Sequence, residues 1–428
     1  MNYRETVNYL YECTPVFEHV GASAYKEGLD NTHALDKHFG HPHQHYKIIH
    51  IAGTNGKGSC SHTLAAILQA MGYNVGLYTS PHLVDFRERI RVNGEMIPEE
   101  YVVDFVEKEN NFFTPLHPSF FELTTAMAFK YFAEKHVDYA IVEVGLGGRL
   151  DCTNIVTPIL SIITNISKDH TQFLGETLPQ IAAEKAGIIK PNTPVVIGEA
   201  IPETRHVFEH KAIETHSKII FAEDACEVVQ VDKSQGVGIS YQTVNYGVVT
   251  GALIGEYQIK NTNTVLCAIR ELGITDVEAV KKGFLNVVQL TGLMGRWQIL
   301  CNQPLIVCDT GHNVGGWKYL SKQIIHQECH QKHIVFGMVD DKDIDSVMEL
   351  LPKDAIYYWS QATTHRAIPS QVVAQKGLAH GLVGRVYDSV ESAYMAALAI
   401  AVPNDFVFIG GSSYIVSDLL ACLATPKE

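Results

Sequence analysis

The sequence has no surplus of basic residues and no paired cysteine motif. Its 428 residues include 33 Lys and Arg against 47 Asp and Glu, a formal net charge of −14. This balance argues against a general nucleic-acid surface, because binding a phosphate backbone needs a basic face. The nine cysteines form no CxxC pair, so we expect a reduced, cytoplasmic protein.

Long hydrophobic runs and a secretory leader are also missing. Apolar segments such as YAIVEVG and LSIITNI have the length of strands, whereas a membrane helix needs about 20 residues. The opening residues, MNYRETVNYLYECTP, lack a basic segment followed by an apolar one. We therefore expect no membrane span and no membrane partner, and the chain is long enough for two buried cores.

Short β-branched runs alternate with helical patterns along the chain. The runs at 47–52, 75–80, 139–145, 160–166 and 194–198 are almost continuously apolar, which predicts strands buried on both faces. Residues 222–258 predict antiparallel strands, and the alternation restarts after residue 296. The expected fold class is α/β, with a P-loop-type N-terminal domain (1–295) built on a mainly parallel sheet and a smaller, Rossmann-like C-terminal domain (296–428).

The segment GTNGKGS resembles a phosphate-binding loop, but the spacing is unusual. A P-loop has Ser or Thr directly after its Lys, whereas Gly58 separates Lys57 from Ser59 here. The loop follows a predicted strand and precedes a helix predicted from about Ser61, so its N–H groups would face an anion. Lys57 would neutralise phosphate charge and the Ser59 hydroxyl would bind magnesium; the alternative is a glycine-rich turn without a ligand. The predicted ATP-binding residues of this loop are Gly53, Thr54, Asn55, Gly56, Lys57, Gly58 and Ser59.

Two more polar residues end predicted strands. Ser80 and Glu143 would lie at the carboxyl ends of neighbouring parallel strands, where α/β sheets bind ligands. Hydroxyl and carboxylate oxygens suit Mg²⁺, although capping or ion pairing would also explain each residue alone. The histidine-rich segment 38–46 has no Cys or carboxylate at a matching spacing, and we predict no metal site there.

Five further segments carry a family resemblance: TSPHLVDFRERIRVNG (79–94), FFELTTAMAF (120–129), EVGLGGRLDCTN (143–154), SKDHTQFLGETLPQIAAEKAGIIKP (167–191) and DTGHN (309–313). With the loop, they resemble the folylpolyglutamate synthase and dihydrofolate synthase family, which is related to the Mur ligases. The resemblance runs from the first strand to GGSSYIV (410–416). It implies an enzyme that uses ATP to join a pteroate or folate carboxylate to L-glutamate through an acyl phosphate, releasing ADP and phosphate.

The resemblance also implies roles for individual residues. It implies two magnesium ions held by Ser59, Ser80, Glu143, His170 and Lys185, the last as a carbamate, with Lys57, Glu143, His170 and Lys185 catalytic. It assigns ATP contacts outside the loop to Asn261, Arg296, Asp309 and His312. It assigns the acceptor and glutamate sites to Pro81, His82, Arg89, Phe120, Phe121, Thr124, Asp151, Cys152, Thr153, Ser412 and Ser413, and Lys342, Asp343 and Arg366 also match family positions.

The sequence departs from the family pattern in three places. Cys152 replaces a commoner alanine, DTGHN replaces DGAHN, and Tyr257-Gln258 replaces His-Gln. The first is a small change, the second keeps Asp309, His312 and Asn313, and the third alters the segment expected to recognise the base.

Three other functions stay open at this point. They are a Mur-type ligase acting on another carboxylate, a P-loop NTPase switch and a non-catalytic nucleotide-binding module. A Mur-type enzyme would need a UDP-muramyl domain before the loop, where only 52 residues stand. The second α/β domain argues against a switch, and Glu143, His170 and Lys185 argue against a non-catalytic module. The sequence does not separate dihydropteroate from folate polyglutamates as acceptor, and we predict a bifunctional, monomeric enzyme.

Overall fold

The computed structural model describes residues 1–13, 28–233 and 238–424. The chain divides into two compact units. The first comprises Met1–Ala252 and Gln258–Leu293, and the second comprises Leu253–Tyr257 and Met294–Glu428. The domain roles expected for 1–295 and 296–428 stay predictions.

An eight-stranded sheet forms the centre of the first unit. Its strands are β1 (Lys47–Ala52), β2 (Val75–Tyr78), β3 (Ile90–Val92), β4 (Glu95–Met96), β5 (Tyr139–Glu143), β6 (Leu160–Ile163), β7 (Val195–Ile197) and β8 (Ile219–Phe221). The order is β4-β3-β2-β5-β1-β6-β7-β8. From β2 to β8 every neighbouring pair is parallel, while β3 and β4 are antiparallel at one edge. The mainly parallel sheet expected from the apolar runs is confirmed.

Helices cover both faces of this sheet. They span Tyr3–Cys13, Asp30–His38, Lys57–Ala70, Glu99–Phe113, Phe120–Glu134, Thr171–Leu174, Leu178–Ala186, Pro202–Glu214, Ala222–Ala225, Gln258–Glu271, Val277–Leu285 and Val287–Thr291. Along β1, Ile48 belongs to one buried cluster, and Ile49 and Ile51 belong to another. Side chains of a strand alternate between its two faces, so this division shows that both faces are buried, which explains why the strand is apolar throughout.

Two local features of the first unit differ from the sequence-based expectation. The helix after the glycine-rich loop begins at Lys57 rather than near Ser61, because Gly56 adopts a left-handed conformation that ends the turn earlier. The short strands β3, β4 and β8 were not predicted, since runs of two or three residues carry little periodicity. The expected antiparallel strands are present as a three-stranded sheet, β9 (Val228–Asp232), β10 (Ile239–Thr243) and β11 (Val248–Gly251).

The second unit has its own six-stranded sheet. Its strands are β12 (Gln298–Asn302), β13 (Leu305–Asp309), β14 (Lys332–Phe336), β15 (Ala355–Trp359), β16 (Gly384–Val386) and β17 (Phe406–Gly410), in the order β12-β13-β17-β14-β15-β16. All pairs are parallel except β12 with β13. The helices span Val314–Ile325, Ile344–Met348, Ser370–Ala379, Val390–Ile400 and Ser413–Ala424. The expected α/β C-terminal unit is therefore confirmed. Within the described ranges, no helix has the length and apolar character needed to cross a bilayer.

Candidate active site

The loops that follow four central strands of the first unit meet at one edge of the sheet. Strands β2, β5, β1 and β6 are neighbours and run parallel, so their carboxyl ends lie side by side. This edge is the usual ligand-binding position in an open α/β sheet. Ser80 follows β2, Glu143 ends β5, the glycine-rich loop follows β1, and His170 follows β6. The topology thus gathers predicted residues that are far apart in the sequence.

Two glycines give the loop a shape that other residues cannot adopt. Gly53 has a φ of 146°, and a Cβ there would lie 1.8 Å from Oγ1 of Thr164. Gly56 has a φ of 87°, and its Cβ would lie 2.3 Å from Oδ1 of Asn261. Glycine alone tolerates such angles and such close approach without strain. Asn261, predicted to lie near adenine, therefore packs directly against the loop.

The segment after β6 holds the loop in place. Thr54 donates its backbone N–H to the Asn165 carbonyl (2.9 Å) and its hydroxyl to the Ser167 carbonyl (3.1 Å). Asn55 donates its backbone N–H to Asn165 Oδ1 (2.9 Å) and its side-chain amide to Ser167 Oγ (3.2 Å). Sequence analysis missed Asn165 and Ser167, although a polar TNIS directly after a buried strand could have indicated them. The predicted side chains of Thr54 and Asn55 thus shape the loop.

Two lysines converge on a single carbonyl oxygen of the loop. Lys57 donates from Nζ to the carbonyls of Gly53 (3.1 Å) and Thr54 (3.2 Å). Lys185, on the helix Leu178–Ala186, also donates from Nζ to the Gly53 carbonyl, at 3.0 Å. Burial, and next the positive charge of Lys57, lower the pKa of Lys185 to about 7. Its amine is therefore partly neutral at physiological pH.

The Ser59 hydroxyl lies in a buried network under the first helical turn. Ser59 is 2% exposed and accepts a hydrogen bond from Nε2 of Gln258 at 3.0 Å. Gln258 in turn accepts from Nδ2 of Asn261 at 2.8 Å. Gln258 was not predicted as a site residue. The available signal was its position in QIKN (258–261), the segment that also contains the predicted Asn261. The network orients the Ser59 oxygen.

Glu143 and Ser80 contact each other at the ends of their strands. The Ser80 backbone N–H donates to Glu143 Oε2 at 3.2 Å, and Glu143 is 4% exposed. His170 adopts a left-handed backbone with a φ of 49°, and its Nε2 lies 3.8 Å from Asp169 Oδ1. A buried carboxylate and a hydroxyl are the hard oxygen donors that a divalent cation prefers. The chemistry of Glu143 and Ser59 therefore fits a divalent metal, while an ammonium on Lys185 does not.

Aromatic and cationic side chains meet beside the helix Phe120–Glu134. The Arg89 guanidinium lies 5.1 Å from the Phe120 ring centroid, and its Nε donates to Nδ1 of His82 at 2.7 Å. Tyr11, which sequence analysis did not single out, hydrogen-bonds Nε2 of His82 at 2.9 Å and stacks on Phe120. The structure therefore brings together three predicted acceptor residues, His82, Arg89 and Phe120.

Three other predicted acceptor residues lie on the same segments as this cluster. Pro81 precedes His82, and Phe121 and Thr124 follow Phe120 on its helix. Phe121 stacks on Tyr78 with ring centroids 5.7 Å apart, and the buried Thr124 donates its hydroxyl to the Phe120 carbonyl at 2.7 Å. Pro81 follows Ser80 through a cis peptide bond. The Thr124 hydroxyl thus takes part in a helix hydrogen bond.

Asp151 caps a short 3₁₀ turn, Cys152–Ile155. Its carboxylate accepts backbone N–H groups from Leu146 and Thr153, each at 2.9 Å. Burial raises the pKa of Asp151, although these hydrogen bonds oppose the shift. Burial likewise raises the pKa of the half-buried Cys152 thiol, so this thiol is no reactive nucleophile.

In the second unit, Asp309 is a buried acceptor at the end of β13. It accepts from the backbone N–H groups of Trp297 (2.6 Å) and Gly311 (2.8 Å) and from the Tyr257 hydroxyl. Burial raises the pKa of Asp309. Two more predicted residues contact Thr310: Arg296 donates to its hydroxyl, and His312 Nδ1 lies 3.0 Å from its carbonyl.

Several remaining residues of the second unit have structural partners. Ser412 is buried and accepts the Ile415 N–H at 3.2 Å, at the start of the helix Ser413–Ala424, and Ser413 is half-buried beside it. Asp343 caps the helix Ile344–Met348, while Arg366 and Lys342 pair with Asp341. The binding roles expected for these residues stay predictions.

A glycine-rich loop followed by a helix, a buried carboxylate at a strand end and a second α/β unit are the features expected of an ATP-dependent ligase of the Mur type. The Mur ligase middle domain model matches residues 51–269, and the Mur ligase glutamate ligase domain model matches residues 295–413. The chain belongs to the Mur ligase family, and within it to the folylpolyglutamate synthase and dihydrofolate synthase group.

Named relatives of similar length carry that second assignment. The chain is 32% identical to the dihydrofolate synthase/folylpolyglutamate synthase of Bacillus subtilis, covering 92% of this chain and 94% of the relative. It is 32% identical to the folylpolyglutamate synthase of Lacticaseibacillus casei over the full length of both. It spans only 50% and 51% of two haloarchaeal relatives, each named probable bifunctional folylpolyglutamate synthase/dihydropteroate synthase, from Haloferax volcanii and Halobacterium salinarum.

Solved structures agree with the family. The Escherichia coli FolC structure in complex with DHPP and ADP matches with a TM-score of 0.84 and 28% identity, over 99% of this chain and 98% of the other. The Yersinia pestis bifunctional enzyme, complexed with AMPPNP and Mn ion, matches with a TM-score of 0.82 and 29% identity, over 99% and 98%. The expected family and fold are confirmed, and the chain is an ATP-dependent ligase of the folylpolyglutamate synthase and dihydrofolate synthase group.

Proposed function

We propose that this enzyme activates the carboxylate of dihydropteroate, and of reduced folates, with ATP and joins it to the amino group of L-glutamate. A free carboxylate does not react with an amine, so the γ-phosphoryl group is first transferred to the carboxylate oxygen and ADP leaves. The glutamate nitrogen then attacks the acyl carbon, phosphate leaves, and the nitrogen loses a proton. The observation that carries this proposal is the convergence of Lys57 and Lys185 on the loop carbonyl of Gly53.

The loop and its helix supply the phosphate site in this proposal. The first N–H groups of the helix Lys57–Ala70 lack intrahelical acceptors by geometry, and the helix dipole favours an anion there. Lys57 neutralises charge on the transferring phosphoryl group. Asn261, Arg296, Asp309 and His312 contribute to ATP binding, as the family resemblance implies.

The divalent metal is magnesium in this proposal, and two ions take part. Ser59 and Glu143 would hold one ion, with Ser80 beside them, because their oxygens are hard donors. When bound, the ions neutralise charge that develops on the phosphoryl oxygens. His170 and a modified Lys185 would hold the second ion.

The modification proposed for Lys185 is carbamylation. A lysine with a pKa of about 7 presents much of its amine neutral, and a neutral amine adds to carbon dioxide and then loses a proton. The product carries a negative charge and two oxygens, which turns a poor metal ligand into a good one. Carbon-13 bicarbonate NMR at neutral pH should show a carbamate resonance that is absent in Lys185→Ala. A short carboxylic acid should partly restore turnover to that variant, and an unmodified lysine in a magnesium–nucleotide complex would contradict the assignment.

The acceptor binds, in this proposal, beside the helix Phe120–Glu134, where Phe121 and Asp151 would face its ring and the loop from Pro81 to Arg89 would cover it. Ser412 and Ser413 lie on the glutamate side. All ligands are small molecules, and the enzyme is a monomer, which sedimentation would test. The buried free thiols of Cys60, Cys267 and Cys308 are typical of a reducing compartment and support a cytoplasmic location.

Phosphate release tests the proposed function directly. The full-length enzyme is given Mg-ATP and L-glutamate, with dihydropteroate in one assay and tetrahydrofolate in another. Stimulation by both acceptors supports a bifunctional enzyme, and stimulation by one assigns a single activity. Release that neither acceptor stimulates would contradict the folate assignment, and steady hydrolysis without any acceptor would favour an NTPase switch.

A further inference from the structure

A buried histidine outside the predicted site contacts the acceptor region from the central strand of the sheet. His50 lies in the middle of β1, and its side chain is fully buried. Its Nε2 lies 2.8 Å from Oγ1 of Thr153. Thr153 in turn hydrogen-bonds through Oγ1 to Oδ1 of Asp151. A continuous chain of hydrogen bonds therefore runs from β1 to the carboxylate assigned to acceptor binding.

The direction of this chain follows from the number of hydrogens that each group carries. Burial lowers the pKa of His50 to about 3, so the ring is neutral and carries one N–H. The Thr153 hydroxyl has one hydrogen, which it donates to Asp151. The contact between His50 and Thr153 must then be donated by the imidazole Nε2–H. Consistent with this tautomer, Nδ1 of His50 is buried and no group in the described part of the chain hydrogen-bonds it.

This chain of hydrogen bonds fills one oxygen of the Asp151 carboxylate and leaves the other able to accept a further hydrogen bond. A carboxylate oxygen accepts about two hydrogen bonds. Asp151 Oδ1 accepts both the hydroxyl and the backbone N–H of Thr153, which fills it. Asp151 Oδ2 accepts from the Leu146 N–H. The Gly145 N–H also interacts with the carboxylate, but it makes no hydrogen bond of normal geometry to Oδ2, which can therefore take a second donor. The amino group and ring N–H of a pterin are donors of the required kind.

We propose that His50 is a positioning residue for the acceptor: it orients the Thr153 hydroxyl toward Oδ1 of Asp151, so that Oδ2 is presented to the N–H groups of the heterocycle. This inference rests on the proposed function, in which Asp151 contacts the acceptor. It assigns His50 no contact with ATP, metal or glutamate. Loss of the chain should therefore weaken acceptor binding while ATP binding is retained.

Paired variants test the proposal in the full-length enzyme. In His50→Asn the amide is too short to reach the Nε2 position, whereas in His50→Gln an amide N–H can occupy it. Thr153→Val removes the hydroxyl at constant shape, and Thr153→Ser keeps it. Steady-state KM is measured for dihydropteroate, ATP and glutamate, with Tm as the folding control.

The expected result is selective for one substrate. His50→Asn and Thr153→Val should raise the KM for dihydropteroate about tenfold, the effect of weakening one hydrogen bond to a charged group, with KM for ATP and glutamate within about twofold. His50→Gln and Thr153→Ser should recover most of the loss. The double variant, His50→Asn with Thr153→Val, should be no worse than Thr153→Val, because the two residues act in series.

Other outcomes separate the possible failures. If Asp151→Asn raises the KM for dihydropteroate but His50→Asn and Thr153→Val do not, the inference about His50 is overturned and the proposed function stands. If His50→Gln is as impaired as His50→Asn, with all three KM values raised, His50 only fills the core and the inference is again overturned. If Asp151→Asn leaves the KM for dihydropteroate unchanged, Asp151 does not bind the acceptor, and the assignment beneath the inference fails as well.

Discussion

Replacing Lys185 by methionine should stabilise the ligand-free enzyme near neutral pH and remove part of its pH dependence. The Lys185 side chain is 4% exposed, and its pKa falls from 10.5 to about 7 on folding. Between these two values the unfolded chain holds a proton that the folded protein has released. Stability therefore rises with pH across this window, and below about pH 7 the folded protein carries the full cost of a buried charge.

The size of the effect follows from the difference between the two pKa values of Lys185. Each tenfold change in the proton affinity of a group corresponds to about 1.4 kcal/mol, so the wild type should gain about 4 kcal/mol more than Lys185→Met between about pH 7 and pH 10. Methionine carries no proton and retains most of the apolar length of the lysine. It also removes the hydrogen bond to the Gly53 carbonyl, so the difference in pH dependence, rather than the difference at one pH, isolates the charge.

Urea unfolding measures this difference. The free energy of unfolding is determined at several pH values in buffer stripped of bicarbonate and divalent ions, so that Lys185 is a free amine. Lys318→Met, which removes an exposed lysine on the helix Val314–Ile325, controls for the loss of one positive charge and should follow the wild type. If the free energies of unfolding of the wild type and Lys185→Met change with pH in parallel, the lowered pKa of Lys185 is refuted.

Two further predictions concern the glycine-rich loop. Lys57→Ala should lower kcat by about 10²-fold or more through lost phosphoryl charge stabilisation with little change in Tm, and an active variant would show that the loop does not carry the chemistry. Gly56→Ala should destabilise the enzyme by about 2 kcal/mol or more, because a left-handed angle alone costs about 1 kcal/mol or more and the new Cβ meets Asn261. Gly273→Ala, where φ is +72° and no heavy atom lies within 4 Å, should cost only the angle, and equal losses of unfolding free energy in the two variants would contradict a role for Asn261.

Much of the fold and of the candidate site could be predicted from the sequence, because the strands, the glycine-rich loop and the family motifs are each encoded by consecutive residues. The apolar runs of β1, β5 and β6 match the strands closely, since a strand buried on both faces must be apolar throughout. The loop could be recognised because its glycines, Lys57 and Ser59 are consecutive, and the family motifs are equally compact. The end of β5 at Glu143 was also readable, as the apolar run gives way there to a glycine-rich turn.

Tertiary structure decided which distant groups meet. Asn165 and Ser167 bind the loop only because β6 lies next to β1 in the sheet, and Tyr11 reaches His82 across 71 positions of the chain. In the sequence, His50 is an ordinary residue in an apolar strand, and its link to Asp151 depends on a turn about 100 residues later. The lowered pKa of Lys185 likewise arises from burial beside Lys57. Composition and spacing encode the strands and loops, whereas desolvation and hydrogen-bond partners exist only once the sheet has brought those segments together.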